Sequence, residues 1–362
     1  MSSQPIAYID LAALQHNFMR VKQLAPRSKI MSVIKANAYG HGMVEVANAL
    51  QLSDAFAVAR LSEGVRLRQA GITHPIVLLE GIHSVSDLHS AADNQLSLVF
   101  NNHKQISLLD DVTLATPLTF CWVMIETGMH RLGFAEADID HVVNFVSNNA
   151  NISGAPGLMS HFANSDLVGD KRNQQQLAIL SQCAQQLNLD TSMANSAAIL
   201  SYPDSQGDWV RPGIMLYGSS PFASQTALEL DLKPVMTLTS AITAIKTIKC
   251  GDQVGYGGDW IADKTTLIGI VSIGYGDGYS RHLSNHGQVL IDDSVVNVLG
   301  RVSMDMIAID LSNCTEVEIG DEVILWGIDT VSIDHIAQQA GTISYELLCQ
   351  LTERVPRVYK HG

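Results

Sequence analysis

The chain has 362 residues, of which 46% are hydrophobic and 16% charged, and its formal net charge is −14. This length predicts two domains, or one large α/β barrel with an appendage, and the ample apolar content excludes disordered and fibrous classes. The acidic balance argues against nonspecific binding to nucleic acid. Without a long apolar run, an export signal or a C-x-x-C pair, and with five widely spaced cysteines, the sequence predicts a cytoplasmic protein with reduced thiols.

The first part of the chain alternates between two kinds of segment. Short apolar or β-branched runs are followed by segments in which apolar residues recur with helical period, as in 43–50, 61–70, 139–146 and 173–187. The predicted strands are 30–34, 54–59, 75–79, 96–100, 118–125, 157–161, 191–194 and 209–211. Eight such β-then-α units over about 215 residues predict a (β/α)8 barrel of the TIM type, with an open doubly wound sheet as the alternative.

The pattern changes near residue 233, where helical period nearly disappears and short strands alternate with Gly- and Asp-rich turns. The predicted elements are strands at 236–248, 266–273, 288–291, 295–299, 307–311 and 322–326, and helices at 333–339 and 345–352. A mostly β C-terminal domain therefore follows the barrel. We place the boundary at Lys233-Pro234, which gives a barrel domain of residues 1–232 and a mostly β domain of residues 233–362.

Lys35 is the first candidate for chemistry. It closes the strand K-I-M-S-V-I-K, and barrel enzymes place catalysis at the carboxyl ends of their strands. Burial there would lower the pKa of its amine and make it a nucleophile or a base. A solvated surface lysine is the ordinary alternative, but the polar turn that follows, with Tyr39 and His41 flanked by glycines, favours a functional site.

A second cluster predicts an anion site. The seventh predicted strand leads into Asn195-Ser196, which is typical of a helix N-terminus with free N–H groups. The eighth leads into W-V-R-P-G-I, so Gly213 and Ile214 follow Arg211 closely. Barrels commonly bind phosphate in the loops after these two strands. Taken singly, an ordinary helix cap and an ordinary turn are the simpler interpretations.

The two clusters together predict one cofactor, pyridoxal 5'-phosphate. Its aldehyde would join Lys35, its phosphate would lie on Ser196 and Gly213, and Arg211 would face its ring. No metal site is predicted, because His282 and His286 lie in a Gly- and Ser-bearing loop without acidic residues in a ligand pattern.

Seven sequence motifs closely resemble those of the alanine racemase family. They are V-I-K-A-N-A-Y-G-H-G (33–42), E-T-G-M-H-R-L-G-F (126–134), M-S-H-F-A-N-S-D (159–166), W-V-R-P-G-I-M-L-Y-G (209–218), V-G-Y-G-G-D-W (254–260), I-G-Y-G-D-G-Y (273–279) and G-R-V-S-M-D-M (300–306). The resemblance runs nearly end to end, with the motifs in the family's order and spacing. It implies racemisation of alanine with pyridoxal phosphate, for peptidoglycan synthesis or for D-alanine breakdown.

The resemblance also implies a role for each matching residue. Lys35 resembles the lysine that joins the cofactor and serves as one of two catalytic bases, and Tyr256 resembles the other base. Since Tyr256 lies in the β domain, the family pattern has it reach the active site of the partner subunit in a homodimer. The implied cofactor-binding residues are Lys35, Tyr39, Arg131, His161, Asn195, Ser196, Arg211, Gly213, Ile214 and Tyr345.

Within that set, Arg211 resembles the residue that hydrogen-bonds the pyridine nitrogen, and His161 the one that links Arg211 to Tyr256. Arg131 resembles the residue that holds the phenolic oxygen of the cofactor and the carboxylate of the substrate. The backbone of Met304, from the partner subunit, resembles a second contact for that carboxylate. A base on each face of the substrate allows the Cα proton to be removed on one side and returned on the other.

The sequence departs from the family pattern at Met124. Several family members carry a carbamylated lysine seven residues before the equivalent of Arg131, where it orients that arginine. Some racemases lack this lysine, and here an asparagine, an aspartate or an anion from solution could substitute for it, without the sequence indicating which.

Three alternative functions remain at this point. A racemase of broader or different specificity, for example for serine, would use the same residues. A decarboxylase of the same architecture would carry an acidic residue at the pyridine nitrogen, where this chain has Arg211. A non-catalytic cofactor-binding protein would consist of the barrel alone.

Overall fold

The computed structural model describes residues 4–110 and 112–361. The prediction that the chain has no export signal depends partly on the first three residues, which lie outside the described residues. Among the helices described, none combines the length and the apolar character that crossing a membrane requires.

The described residues form helices and strands in an alternating order up to residue 217 and mostly strands thereafter. The strands are β1 (Ile6–Asp10), β2 (Lys29–Val33), β3 (Ala55–Val58), β4 (Ile76–Leu78), β5 (Ser97–Phe100), β6 (Leu118–Thr119), β7 (Trp122–Met124), β8 (Ile152–Ser153), β9 (Gly157–Met159), β10 (Thr191–Ser192), β11 (Trp209–Val210), β12 (Met236–Ile248), β13 (Gln253–Val254), β14 (Trp260–Ile261), β15 (Thr266–Val271), β16 (Gln288–Ile291), β17 (Ser294–Leu299), β18 (Ile307–Asp310), β19 (Glu322–Trp326) and β20 (Arg357–Lys360). The helices are α1 (Leu11–Leu24), α2 (Lys35–Tyr39), α3 (Met43–Ala49), α4 (Leu61–Gln69), α5 (Val85–Asp93), α6 (His103–Ser107), α7 (Ile139–Asn148), α8 (Lys171–Leu187), α9 (Ser196–Ser201), α10 (Ile333–Gln339) and α11 (Ser344–Gln350).

Eight parallel strands close into a barrel in the order β10-β11-β2-β3-β4-β5-β7-β9. The predicted fold class is therefore confirmed, and each of the eight predicted strands overlaps one strand of the barrel. The prediction of one continuous strand over 118–125 is wrong. The backbone turns at Phe120, whose φ is 57°, so that β6 pairs with β8 outside the barrel and only β7 belongs to it.

The second sheet is built around β12. Its first half pairs with β19 and its second half with β15, so the antiparallel strands β15, β18, β17, β16 and β19 return to the strand from which they start. This sheet also contains β1, which pairs with β12 and β20 and which was not among the strands predicted from the sequence. The N-terminal strand thus belongs to the second sheet, although the chain then enters the barrel through α1.

Polar contacts hold the second domain against the carboxyl ends of the barrel strands. The carboxylate of Asp334 in α10 accepts hydrogen bonds from the Ser219 hydroxyl at 2.5 Å and the Ser220 amide at 3.0 Å. Arg357 in β20 donates to the carbonyl of Gly40 at 3.0 Å. These contacts bring α11, with Tyr345, over the mouth of the barrel.

Gly157 provides a test of barrel packing. A Cβ atom at this position would lie 2.5 Å from Cζ3 of the buried Trp122, the residue paired with it in the barrel. We expect Gly157→Ala to lower the free energy of unfolding by about 1–3 kcal/mol through overpacking, as measured by the urea midpoint. Trp122→Phe in the same chain should relieve part of the loss, and strictly additive effects would contradict this explanation.

Candidate active site

A cavity of about 890 Å³ lies at the carboxyl ends of the barrel strands. This position agrees with the general location of active sites in barrels of this type. The cavity brings together the predicted cofactor-binding residues, which come from five of the predicted motifs or turns and from α11. Its lining includes Lys35, Tyr39, Arg131, His161, Asn195, Ser196, Arg211, Gly213, Ile214 and Tyr345.

Lys35 stands in this cavity directly after β2. Its side chain is half-buried, and within the described residues its amine has no hydrogen bond or ion pair. Burial, and next the positive charge of Arg131, lower the pKa of the amine, while the carboxylates of Glu80 and Glu63 oppose the shift. A lysine with a lowered pKa is more readily deprotonated, so Lys35 is suited to act as a nucleophile or as a base.

The turn after Lys35 has an unusual backbone. The sequence predicted a glycine-flanked polar turn, but the four residues from Ala36 to Tyr39 have φ between 51° and 55°, in the left-handed region. Non-glycine residues adopt this region at a cost of about 1–2 kcal/mol each. The turn is also largely inside the protein, since Tyr39 and His41 are both buried. It directs the hydroxyl of Tyr39 toward the loop that carries Gly213.

Ser196, Gly213 and Tyr39 form a small polar cradle. The amide of Gly213 donates to the hydroxyl of Ser196 at 2.8 Å. A Cβ atom on Gly213 would lie 2.7 Å from the hydroxyl oxygen of Tyr39 and 3.9 Å from that of Ser196. The Asn195 side chain caps α9 by accepting from the amide of Ala198 at 3.1 Å. Backbone and hydroxyl groups at these distances fit a phosphate.

The same distances make Gly213→Ala a test of the cradle. The new methyl group would displace the Tyr39 hydroxyl, so we expect the affinity for pyridoxal phosphate to fall about tenfold or more. Fluorescence titration of the cofactor-free protein measures this affinity. Gln69→Ala, at an exposed residue of α4 that does not line the cavity, gives a distant control variant. An unchanged affinity in Gly213→Ala would contradict the assignment of the phosphate to this place.

Arg211 is a buried cation that forms no ion pair with a carboxylate among the described residues. It is 5% exposed, and its guanidinium donates to the Ser192 hydroxyl at 2.7 Å, to the Ser160 carbonyl at 2.6 Å and to Nδ1 of His161 at 3.3 Å. Burial, followed by the charge of Arg131, lowers the pKa of Arg211 to about 10, so it stays charged at neutral pH. Its charge is thus available to a ligand group that accepts a hydrogen bond.

His161 is neutral beside this arginine. Burial and then the positive charge of Arg211 lower the pKa of His161 to about 3. Because Nδ1 accepts from the guanidinium, the proton of the neutral imidazole lies on Nε2. His161 can therefore donate a hydrogen bond on the side away from Arg211.

Arg131 has no carboxylate or amide side chain to hold it. Its side chain is exposed and makes no hydrogen bond or ion pair with any residue in the described part of the chain. Met124, in place of the family's lysine, is buried and lines the same cavity. Among the described residues, no asparagine or aspartate side chain contacts the Arg131 side chain through a hydrogen bond or an ion pair. The expected replacement for that lysine is therefore not seen in the single chain.

Tyr256 and Met304 do not line the cavity of their own chain. The side chain of Tyr256 is 72% exposed. The amide of Gly276 donates to the Met304 carbonyl at 2.8 Å, while the Met304 amide has no partner among the residues described. An ion pair between Arg301 and Asp259, with a second contact of 3.1 Å, ties the two loops together. Tyr256 and Met304 therefore lie on one exposed face of the β domain.

Other residues of the cavity were not predicted from the sequence. They include Glu80, Asn101, Asn102, Asp166, Ile343 and Cys349. Cys349 lies one helical turn after Tyr345 in α11, so helical spacing alone would have placed it on the same face. Asp166 ends the motif 159–166, whereas the others follow barrel strands or precede α11 without any motif that marks them.

The fold and the cavity define the class of protein: a barrel enzyme whose cavity holds a lysine of lowered pKa at the carboxyl end of a strand. Two family models match, the alanine racemase N-terminal domain over residues 9–221 and the alanine racemase C-terminal domain over residues 235–359. The chain is 46% identical to an alanine racemase of Nitrosococcus oceani over 353 residues, 98% of each chain. It is 46% identical to one of Legionella pneumophila strain Lens over 356 residues, covering 98% of this chain and 99% of that one.

Solved structures give the same result. The alanine racemase of Acinetobacter baumannii superposes with a TM-score of 0.92 at 42% identity, covering 99% of this chain and 100% of that one. The biosynthetic alanine racemase of Pseudomonas aeruginosa superposes with a TM-score of 0.94 at 40% identity and the same coverage. The chain belongs to the alanine racemase family.

Proposed function

We propose that this chain interconverts L-alanine and D-alanine, with pyridoxal 5'-phosphate as its cofactor. The observation that carries the proposal is the position of Lys35, whose amine has a lowered pKa and shares a cavity with the hydrogen-bonded Arg211–His161 pair. Membership of the alanine racemase family supports the choice of reaction and substrate. The product would supply peptidoglycan synthesis, or the enzyme would degrade D-alanine, and we propose a cytoplasmic location for either role.

The cavity fits the proposed cofactor. The cradle of Tyr39, Ser196 and Gly213 would take the phosphate, with Ile214 and Tyr345 beside it. Arg211 would donate to the pyridine nitrogen, and its charge would keep that nitrogen unprotonated. Arg131, free of other partners, would bind the phenolic oxygen and the substrate carboxylate. When bound, pyridoxal phosphate acidifies the Cα–H bond of the amino acid attached to it.

Two side chains would move the proton. The amine of Lys35, once deprotonated, takes the Cα proton on one face or returns it there. The phenol of Tyr256 does the same on the opposite face, because a proton removed and restored by one group alone would retain the configuration. His161 donates through Nε2 toward that phenol, and Arg211 holds the imidazole in this tautomer.

The second base requires a second copy of the chain. Tyr256 and Met304 are exposed and outside the cavity of their own chain, and Tyr275 and Met306, from the same two motifs or the one between them, are also exposed apolar residues. We propose a homodimer in which the β domain (233–362) of one subunit completes the site in the barrel domain (1–232) of the other.

The experiment is a substrate panel on purified protein with pyridoxal phosphate in D₂O. Alanine racemisation predicts that each alanine enantiomer yields the other with deuterium at Cα, as separated by chiral chromatography. Faster turnover of serine than of alanine would favour the broader racemase. Release of carbon dioxide would indicate a decarboxylase, which Arg211 in place of an acidic residue argues against. Absence of turnover with every amino acid would overturn the proposed function.

A further inference from the structure

The left-handed turn after Lys35 needs support from outside itself. The turn consists of Ala36, Asn37, Ala38 and Tyr39, and three of these residues have a left-handed backbone without the local side-chain hydrogen bond that asparagine offers. Within the turn, Gly40 donates to Ala36 and Gly42 donates to Asn37, both at 3.0 Å. The Ala38 carbonyl accepts from the His41 amide at 3.0 Å, and both it and the Tyr39 carbonyl can also accept from side-chain partners.

His41 supplies those partners. Its side chain is fully buried, and its Nδ1 atom lies 3.0 Å from the Ala38 carbonyl oxygen and 2.9 Å from that of Tyr39. Carbonyl oxygens only accept hydrogen bonds, so Nδ1 carries the proton and donates to both. Nε2 is buried without a partner in the described residues. Burial lowers the pKa of His41 to about 4, which keeps the ring neutral.

The ring of His41 also connects the turn to the strand that precedes Lys35. It stacks on Tyr217 with centroids 4.6 Å apart, and Tyr217 packs against Tyr39 with centroids 4.7 Å apart. The hydroxyl of Tyr217 donates to the carbonyl of Val33 in β2 at 2.9 Å. The imidazole and Tyr217 therefore link the carbonyls of Ala38 and Tyr39 to strand β2, which ends shortly before Lys35.

We propose that His41 is a positioning residue, whose neutral Nδ1–H form holds the left-handed turn and thereby fixes the Lys35 amine relative to the Tyr39 hydroxyl. The inference rests on the proposed function for the reaction that this geometry serves. It concerns a group that touches neither substrate nor cofactor, because His41 does not line the cavity.

Three substitutions separate the hydrogen bond from the packing. His41→Asn places an amide nitrogen near the former Nδ1, His41→Gln places it near the former Nε2, and His41→Phe keeps the ring without a donor. In His41→Phe we expect amide exchange in the peptide 36–42, measured by mass spectrometry, to rise about tenfold, the usual effect of one lost hydrogen bond. Pyridoxal phosphate affinity should fall by a similar factor, and His41→Asn, but not His41→Gln, should recover both.

Two further measurements make the outcome decisive. Nitrogen-15 NMR of histidine-labelled wild type should show the Nδ1–H tautomer of His41 at neutral pH, which remains testable even when a variant fails to fold. His89→Asn, at an exposed histidine on α5, should leave exchange in 36–42 unchanged. An Nε2–H tautomer, or equal exchange and affinity in the Asn and Gln variants, would overturn the positioning role. If amide exchange and the His41 tautomer are as expected but the protein racemises no amino acid, only the proposed function is overturned.

Discussion

Lys35→Ala should lower alanine racemisation in both directions on the order of 10⁴-fold, because it removes both the attachment point of the cofactor and one of the two bases. Chiral chromatography of each alanine enantiomer measures the rates. Borohydride treatment followed by mass spectrometry should fix pyridoxal phosphate to the wild-type chain at the peptide that contains Lys35, and should leave the variant unmodified.

Lys29→Ala is the matched control. Lys29 begins the same strand, β2, at the opposite end of the barrel, where its side chain is exposed and lies over the ring of Trp209. We expect this variant to keep the racemase rates and the borohydride-dependent label. Substantial racemisation by Lys35→Ala would show that the cavity lysine has neither role, and a label on another lysine would show that the cofactor is attached elsewhere.

Tyr256→Phe should leave pyridoxal phosphate affinity unchanged and reduce racemisation on the order of 10²- to 10⁴-fold, because the phenolic proton carrier is lost on one face. Deuterium exchange at Cα should be suppressed more from one enantiomer than from the other. Exchange is measured by mass spectrometry of recovered alanine after short incubations in D₂O. Weakened cofactor binding would instead indicate that Tyr256 belongs to the binding cavity.

Mixing the two inactive variants tests whether sites are shared between subunits. Random reassociation of equal amounts makes half of the dimers mixed, and one site in each mixed dimer has both an intact Lys35 and an intact Tyr256. We therefore expect activity to recover to about a quarter of the wild-type value. Native mass spectrometry of chains carrying a mass label shows whether subunits exchange. Complete exchange without recovery would contradict a second base from the partner.

The local sequence pattern was sufficient to predict much of the fold of this protein. Each barrel strand and the segments Met236–Ile248 and Ile333–Gln339 follow from apolar runs and helical period, because these elements are buried on faces that the period itself defines. The candidate site residues in the cavity follow strand ends, and parallel strands in a barrel bring their carboxyl ends to one face. For this reason the sequence predicted that Lys35 and Arg211 would share a site.

Tertiary structure decided what depends on contacts between distant segments. The strand β1 joins the second sheet because its partners, β12 and β20, lie more than 200 residues away, and no local pattern records that pairing. The left-handed turn after Lys35 exists because buried His41 and the second domain compensate a backbone that its own residues disfavour. In the same way, the sequence by itself was sufficient to predict the candidate lysine and the barrel that carries it, whereas only the folded chain determined the contacts around that lysine.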